Sequence, residues 1–334
     1  MKRPRVFTWH IHGSYLYYLS LTNCELYLPV QPGNYQGYRG KAGSFPWGEN
    51  VHEVPIKSIK NTDFDIILFQ SKKNYVIDQY EILSEKQQAL PKIYLEHDPP
   101  REHPTDTKHI VDDPKIILVH VTHFNNLMWN NNRTPSVVIE HGVKDTNISY
   151  QGEKERGIVV INNLKLRDRR LGLDIFKEVR KEVPLDLVGM GSKELGGLGE
   201  ISHEKLPEFI SHYRFLFNPI RYTSLGLSLC EAMMVGLPIV GMATTELPMI
   251  IENSLSGYIH TNIYWLIEKM RYLLKHKEAA LLLSRGAKQQ AKQLFTIQRF
   301  SKDWERIFTL ALDKTPEKTH TFQDPTIHNL GGIL

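Results

Sequence analysis

The sequence predicts an α/β protein of two doubly wound, Rossmann-like domains facing a central cleft. Three observations predict it. Apolar strand-like runs alternate with amphipathic helical stretches in two successive series. A polar, charged stretch, TNISYQGEKERG (146–157), separates the two series. The string PIRYTSLGLSLCEAMMVGLPIVGMA (219–243) runs loop, helix, turn, strand, the order that open parallel sheets repeat. A length of 334 residues suits two such domains.

Composition narrows the class. Hydrophobic content of 41% and charged content of 23% are those of a soluble globular protein. The formal net charge is +4, and the basic excess lies wholly beyond residue 150. That is too small for a nucleic-acid footprint, but it suits an anionic ligand or an anionic membrane surface. Two cysteines, Cys24 and Cys230, make neither a disulfide framework nor a zinc spacing, as expected in a reducing compartment. The opening MKRPRVFTW has no apolar signal core, and no apolar run reaches about 18 residues. The expectation is a cytoplasmic protein.

The elements follow in order. RVFTWHI is the first strand, and its exit carries His10, His12, Gly13 and Ser14 toward the crevice. His10 and His12 alternate on one strand face and read equally as hydrogen-bonded strand histidines. CELYLPV (24–30) is a second strand. Residues 31–50, rich in Gly, Pro and aromatic residues, form a long irregular loop. Its aromatic residues suit a sugar, a membrane surface, or their own domain. Asp63-x-Asp65 has the form of a metal motif, but it leads directly into the strand DIILF and is read as structural. Residues 74–89 read as one helix on the spacing of Tyr75, Val76, Tyr80, Ile82 and Leu83. KIYLE is a strand that delivers His97-Asp98 at its carboxyl end, and Pro99-Pro100 force an extended exit. KIILVHVTHF (115–124) and SVVIEHGVKD (136–145) close the first domain, which is placed at 1–145.

The second domain is placed at 157–300. It begins with the buried strand GIVVINN. A basic turn follows with Lys165, Arg167, Arg169 and Arg170 before Gly172. PLDLVGMGS brings Gly189 and Gly191 to a strand exit, alone a weak signal. In 219–257, Gly236 stops the helix, Pro238 forbids its continuation, and PIVGMA is a buried strand. Amides at the start of that helix, from Ser224 to Leu227, are free for an anion. Residues 262–312 read as helices. Phe300, Trp304 and Phe308 fall at i, i+4 and i+8, so 300–312 is expected to cross back onto the first domain. The tail, 313–334, is expected to fray.

The string Glu231-Ala232-Met233 with Gly236-Leu237-Pro238-Ile239-Val240 resembles the nucleotide-sugar signature of GT-B glycosyltransferases of family 4, glycosyl transferases group 1. The resemblance is strong over 219–257, moderate over 91–105 and 136–175, and vague elsewhere. It implies the GT-B fold and a retaining hexosyl transfer, with no metal or other cofactor and a UDP- or GDP-type sugar as co-substrate. It implies that Glu231 holds the donor ribose and that the sugar meets His97. The family's Arg and Lys-Gly, which neutralise the diphosphate, fall in the basic turn, where Arg169 and Arg170 stand nearest the glycine. Gly189 and Gly191 match its Val-Gly-x-Gly, and His12, Gly13 and Ser14 match the first-strand loop. Thr223, with Ser224, Leu225, Gly226 and Leu227 after it, stands where the family has a sugar-binding Glu. Met249 stands where a Glu often follows Pro. The resemblance further implies a glycan or lipid-linked saccharide acceptor, work in polysaccharide biosynthesis, and peripheral contact at the inner membrane face, with no nucleic acid. Two other readings stay open: a nucleotide-sugar 2-epimerase-like enzyme, and a non-catalytic sugar-nucleotide-binding GT-B protein.

Overall fold

The computed structural model describes residues 3–33 and 35–313. The expected frayed tail lies outside the described residues from 314 on, while Asp313 still belongs to a helix.

The first half builds β1 (Arg5–Thr8), α1 (Gly13–Ser20), β2 (Glu25–Val30), β3 (Val51–Pro55), α2 (Ile56–Ile59), β4 (Ile66–Phe69), α3 (Gln79–Ile82), α4 (Glu85–Gln88), β5 (Lys92–Glu96), β6 (Ile117–His120), α5 (His123–Met128) and β7 (Ser136–Val138). The second half builds β8 (Lys154–Val160), α6 (Leu164–Arg167), α7 (Leu173–Glu182), β9 (Leu185–Val188), α8 (Leu206–Ser211), β10 (Tyr213–Asn218), α9 (Leu227–Val235), β11 (Ile239–Met242), α10 (Leu247–Ile250), β12 (Gly257–His260), α11 (Ile263–Lys275), α12 (Lys277–Leu294) and α13 (Ile297–Asp313).

Two separate sheets result, ordered β3-β2-β1-β4-β5-β6-β7 and β12-β11-β10-β8-β9. Both are parallel throughout. The chain order reverses between β1 and β4 in one and between β8 and β10 in the other. Ligand crevices form beyond the carboxyl ends of strands at such reversals. The central strands are short and apolar on both faces, as helix-covered parallel strands must be; β4 and β11 are buried at every position.

Helix α9 shows how the sequence sets an end. Gly236 takes φ +97°, its amide reaches Met233 O, and the Leu237 amide reaches Ala232 O, a Schellman stop. Residues Leu229–Val235 are buried on all sides rather than on one flank. The reason is that α8 and α12 cover the helix within its own domain, while Tyr18 of α1 meets it from the other.

Two expectations change, and two strands appear that the sequence reading left unassigned. The helix over 74–89 is broken: a π-helical turn (Asn74–Asp78) leads into α3, Leu83 is extended, and Ser84 starts α4 afresh. Ser84 and Gln87 form a reciprocal capping box, a stronger local signal than the continuing apolar period. The segment VHEVP is a strand, β3, with Val51 and Val54 inward. GYIH is also a strand, β12, paired along β11. The charged stretch before Gly157 is not all linker, since Lys154 already pairs with Tyr213 and lengthens β8.

The last helix returns to the first half. Trp304 is fully buried, and its indole N–H donates to the Tyr15 hydroxyl at 3.2 Å. Arg299 donates to the carbonyls of Glu140 and His141. One apolar cluster therefore runs from the first sheet through α1 and α13 and on into α9.

Candidate functional site between the sheets

The exit of β1 turns at His12, whose carbonyl receives the Leu16 amide as α1 begins at Gly13 and Ser14. The exit of β5 brings His97 to it, and the two imidazoles lie 4.0 Å apart between centroids. Gln70, at the exit of β4, fixes His97. Its amide nitrogen donates to Thr8 Oγ1 and Trp9 O, both at 2.9 Å. The Trp9 carbonyl can only accept, so Gln70 Oε1 faces His97 Nε2 at 3.1 Å and His97 donates there. The Nδ1 lone pair has no hydrogen-bond partner among the described residues. Burial, with His12 and His141 nearby, holds His97 well below the usual imidazole range, so it is neutral at pH 7. His12 lies deep between the domains yet stays exposed to solvent, and its pKa is also lowered by burial. His141 completes the group at 5.7 Å from the Tyr15 ring and donates Nε2–H to the Leu225 carbonyl at 2.8 Å.

Facing them is the basic turn. Asn163 and Asp168 both take positive φ, and Gly172 follows in the left-handed region. This winds 164–171 into one α turn and one 3-10 turn, broken at Asp168, and leaves Arg167 and Arg170 close enough for their charges to interact. The structure divides the pair read from the sequence. Arg169 points away, largely exposed, and pairs with Asp174, which Arg221 also clamps. Arg170 points inward with Nη1 buried and unpaired among the described residues. Burial, then the charge of its neighbour Arg170, lowers the Arg167 guanidinium, and burial also lowers that of Arg170. Asp98 and Arg101, ion-paired to each other across the cleft, are close enough for their fields to reach both. Three cations thus surround one carboxylate. A guanidinium nitrogen buried without a partner is costly, and an anion is one group that would satisfy it.

Between these walls starts α9. Gly226 is its N-cap, exposed, with no side-chain cap and no acidic residue in the first turn. Ser224 Oγ donates to the His97 carbonyl at 2.6 Å, while Tyr222 donates to Pro100 O at 3.0 Å. Thr223, Ser224, Gly226, Asn218 and Thr245 line a cavity of about 30 Å³, with Leu225 on its wall. Leu227 is partly buried at the first helical position. Gly189 serves packing: at φ +126° a Cβ there would lie 2.6 Å from Ile161 O. Gly191, exposed at φ +70°, opens the next 3-10 turn.

Glu231 is not open to the cleft. It is buried and accepts from the Tyr18 hydroxyl at 2.7 Å, with His203 Nε2 at 2.9 Å. Tyr18, His203, Gln70 and His141 are contributors that sequence reading did not single out, and Arg167 was named there only as one of the four cations of the basic turn. The aromatic loop packs on its own domain and reaches across it: Phe45 stacks on Tyr17 and lies 5.1 Å from the His203 ring. His10 donates Nδ1–H to Gly40 O at 2.6 Å, a satisfied strand histidine. Asp63 and Asp65 both face Arg5. Both cysteines are buried and free.

Residues 158–276, about a third of the chain and all in its second half, match the family model "Glycosyl transferases group 1". Trehalose synthases of Thermococcus litoralis and Pyrococcus furiosus are 34% identical over 74 residues, which is 22% of this chain. The match spans 18% of those relatives' own length. The sucrose-phosphate synthase of Thermosynechococcus elongatus superposes with TM-score 0.66 at 12% identity, covering 93% of this chain and 99% of that one. Anabaena HepE, solved with UDP and glucose, gives TM-score 0.64 at 10% identity, covering 92% and 99%. The fold is GT-B, two Rossmann-like domains. Among the described residues no helix is long and apolar enough to cross a membrane.

Proposed function

We propose that this chain is a glycosyltransferase. It moves a hexosyl group, with retention and without a metal, from a UDP- or GDP-sugar to a glycan or lipid-linked saccharide. The observation that carries the reading is the inward Arg170, its Nη1 unpaired among the described residues, with Arg167 close enough for its charge to interact, near the open start of α9. A leaving diphosphate needs fixed positive charge where its own charge develops, and guanidinium with helix amides supplies it. The UDP held by the similarly folded HepE is consistent with that ligand class.

In this reading residues 157–300 hold the nucleotide and 1–145 the acceptor. Glu231 takes the ribose hydroxyls once Tyr18 leaves. His97, neutral and held by Gln70, turns its free Nδ1 to the sugar as an acceptor for a hydroxyl. With Thr223 in place of a carboxylate, the sugar is held by backbone amides from Ser224 to Leu227 and by His97. His12, Gly13 and Ser14 border the reacting centre from the first domain, and Gly189 and Gly191 shape the nucleotide side. The enzyme works in the cytoplasm, touching the inner membrane face where the acceptor is lipid-linked. A ligand of this size needs a pocket of roughly 300–1,000 Å³. The cavity beside Thr223 holds about 30 Å³ and is lined by the second domain alone, so it takes at most a small part of the donor.

Thr223 also favours a second reading, a protein that binds sugar nucleotides without turnover, because no carboxylate stands at that position. A donor panel that measures binding and sugar release together decides. Turnover on any donor supports the transferase. Tight binding with no turnover on all of them supports the second reading.

A further inference from the structure

Glu231 joins the two domains through one carboxylate. It is 8% exposed, on the second turn of α9. Its Oε1 accepts from the hydroxyl of Tyr18, which comes from α1 in the other domain and is 3% exposed. His203 Nε2 stands 2.9 Å from the same oxygen and 3.3 Å from the Tyr18 hydroxyl. A carboxylate only accepts, so both neighbours donate to it. The Tyr17 and Phe45 rings, 5.2 and 5.1 Å from His203, close the group against water. A neutral hydroxyl on a dry carboxylate is the bond that a ribose hydroxyl would make.

We infer that Tyr18 is an internal stand-in for a ribose hydroxyl: it occupies Glu231 while the cleft is shut, and a nucleoside diphosphate displaces it to bind. This rests on the assignment of Glu231 to the ribose. Burial raises the Tyr18 phenol far above its ordinary value, so the stand-in stays a neutral donor at working pH. His203 belongs to the nucleotide's own domain and keeps the carboxylate aimed throughout. A ligand offering one hydroxyl merely exchanges one bond for another, whereas a ribose offers two. The contact therefore selects for an intact ribose diol and holds the empty protein closed. Apparent affinity is reduced by the fraction of molecules in which Glu231 is free.

The test is calorimetry with UDP, GDP and their 2′,3′-dideoxy analogues. Tyr18→Phe keeps the ring and its packing and removes only the hydroxyl. It is expected to bind the ribonucleotides about tenfold tighter, the low end for a hydrogen bond to a charged group. Affinity for the dideoxy analogues is expected to stay as it was, because they leave Glu231 to Tyr18. Unchanged or weaker ribonucleotide binding by Tyr18→Phe overturns the stand-in. The Glu231→Gln variant tests the premise separately. A loss for ribonucleotides that the dideoxy analogues do not share supports the ribose assignment. Equal binding of both classes by wild type and Glu231→Gln overturns that assignment itself.

Discussion

At the scale of single residues, the basic turn shows why counting cations is not enough. Arg169 and Arg170 are neighbours in sequence, yet one is exposed against Asp174 and the other is buried and unpaired. Positive φ at Asn163 and Asp168 makes the difference; Asn and Asp adopt it more readily than most residues, but nothing in the sequence marks which of the chain's many Asn and Asp residues will. Arg167→Ala and Arg170→Ala are each expected to weaken UDP or GDP binding by about tenfold or more, as lost charge-assisted bonds of about 1.5–3 kcal/mol imply. Uridine or guanosine should lose much less. Arg169→Ala should change diphosphate affinity by under about threefold, since an exposed ion pair is worth about 0–1 kcal/mol. Titrating the three variants against nucleoside and nucleoside diphosphate checks this, and equal losses across all three would count against an arginine diphosphate site. The partner of Glu231 was beyond reach of sequence reading for a different reason. Tyr18 lies 213 positions away, and its neighbours Tyr15 and Tyr17 look the same in the sequence.

At the scale of elements, legibility followed the strength of local punctuation. Helix α9 and strand β11 stood out because Gly236 and Pro238 mark the boundary between them. Strands β3 and β12, five and four residues long, carry His, Glu and Tyr among few aliphatic residues, so their strand character comes from pairing with β2 and β11. Helix α13 was legible through its aromatic spacing, but the close approach that seats it was not. A Cβ on Gly142 would lie 2.2 Å from Phe300 Cβ, with both atoms tied to backbone. Gly142→Ala is therefore expected to cost about 1–3 kcal/mol, the usual range for overpacking. Gly226→Ala is the control, because its nearest neighbour would be Ser228 Oγ at 3.6 Å. Urea unfolding of the two variants should separate them. A wild-type midpoint for Gly142→Ala would show that α13 is not seated as described.

At the scale of the whole molecule, buried neutral histidines tie stability to pH. His120 and His141 are each pushed down to about 4 by burial. The folded state refuses protons that the unfolded chain accepts below about 6.5. Their contribution is thus complete above about 6.5 and is lost as pH falls toward 4, at up to about 1.4 kcal/mol per pH unit for each. Urea midpoints should fall between about pH 7 and about pH 5, with a shallower fall in His141→Gln, which keeps a donor for Leu225. An unchanged slope in that variant would remove His141 from the account. The return of α13 to the first domain has a mechanical consequence. The chain crosses between the two bodies twice, and the crossings touch: the Val143 amide bonds to Phe295 O at 2.9 Å, and Val143 pairs with Thr296. Lys288 and Lys292 of α12 fasten the outgoing strand to the second body just beyond that contact. Two tethers meeting at one spot act as a single pivot set at the side of the mouth. Such a pivot is expected to let the bodies swing like jaws rather than slide past each other, so a structure caught open should still show the same residues facing across the mouth.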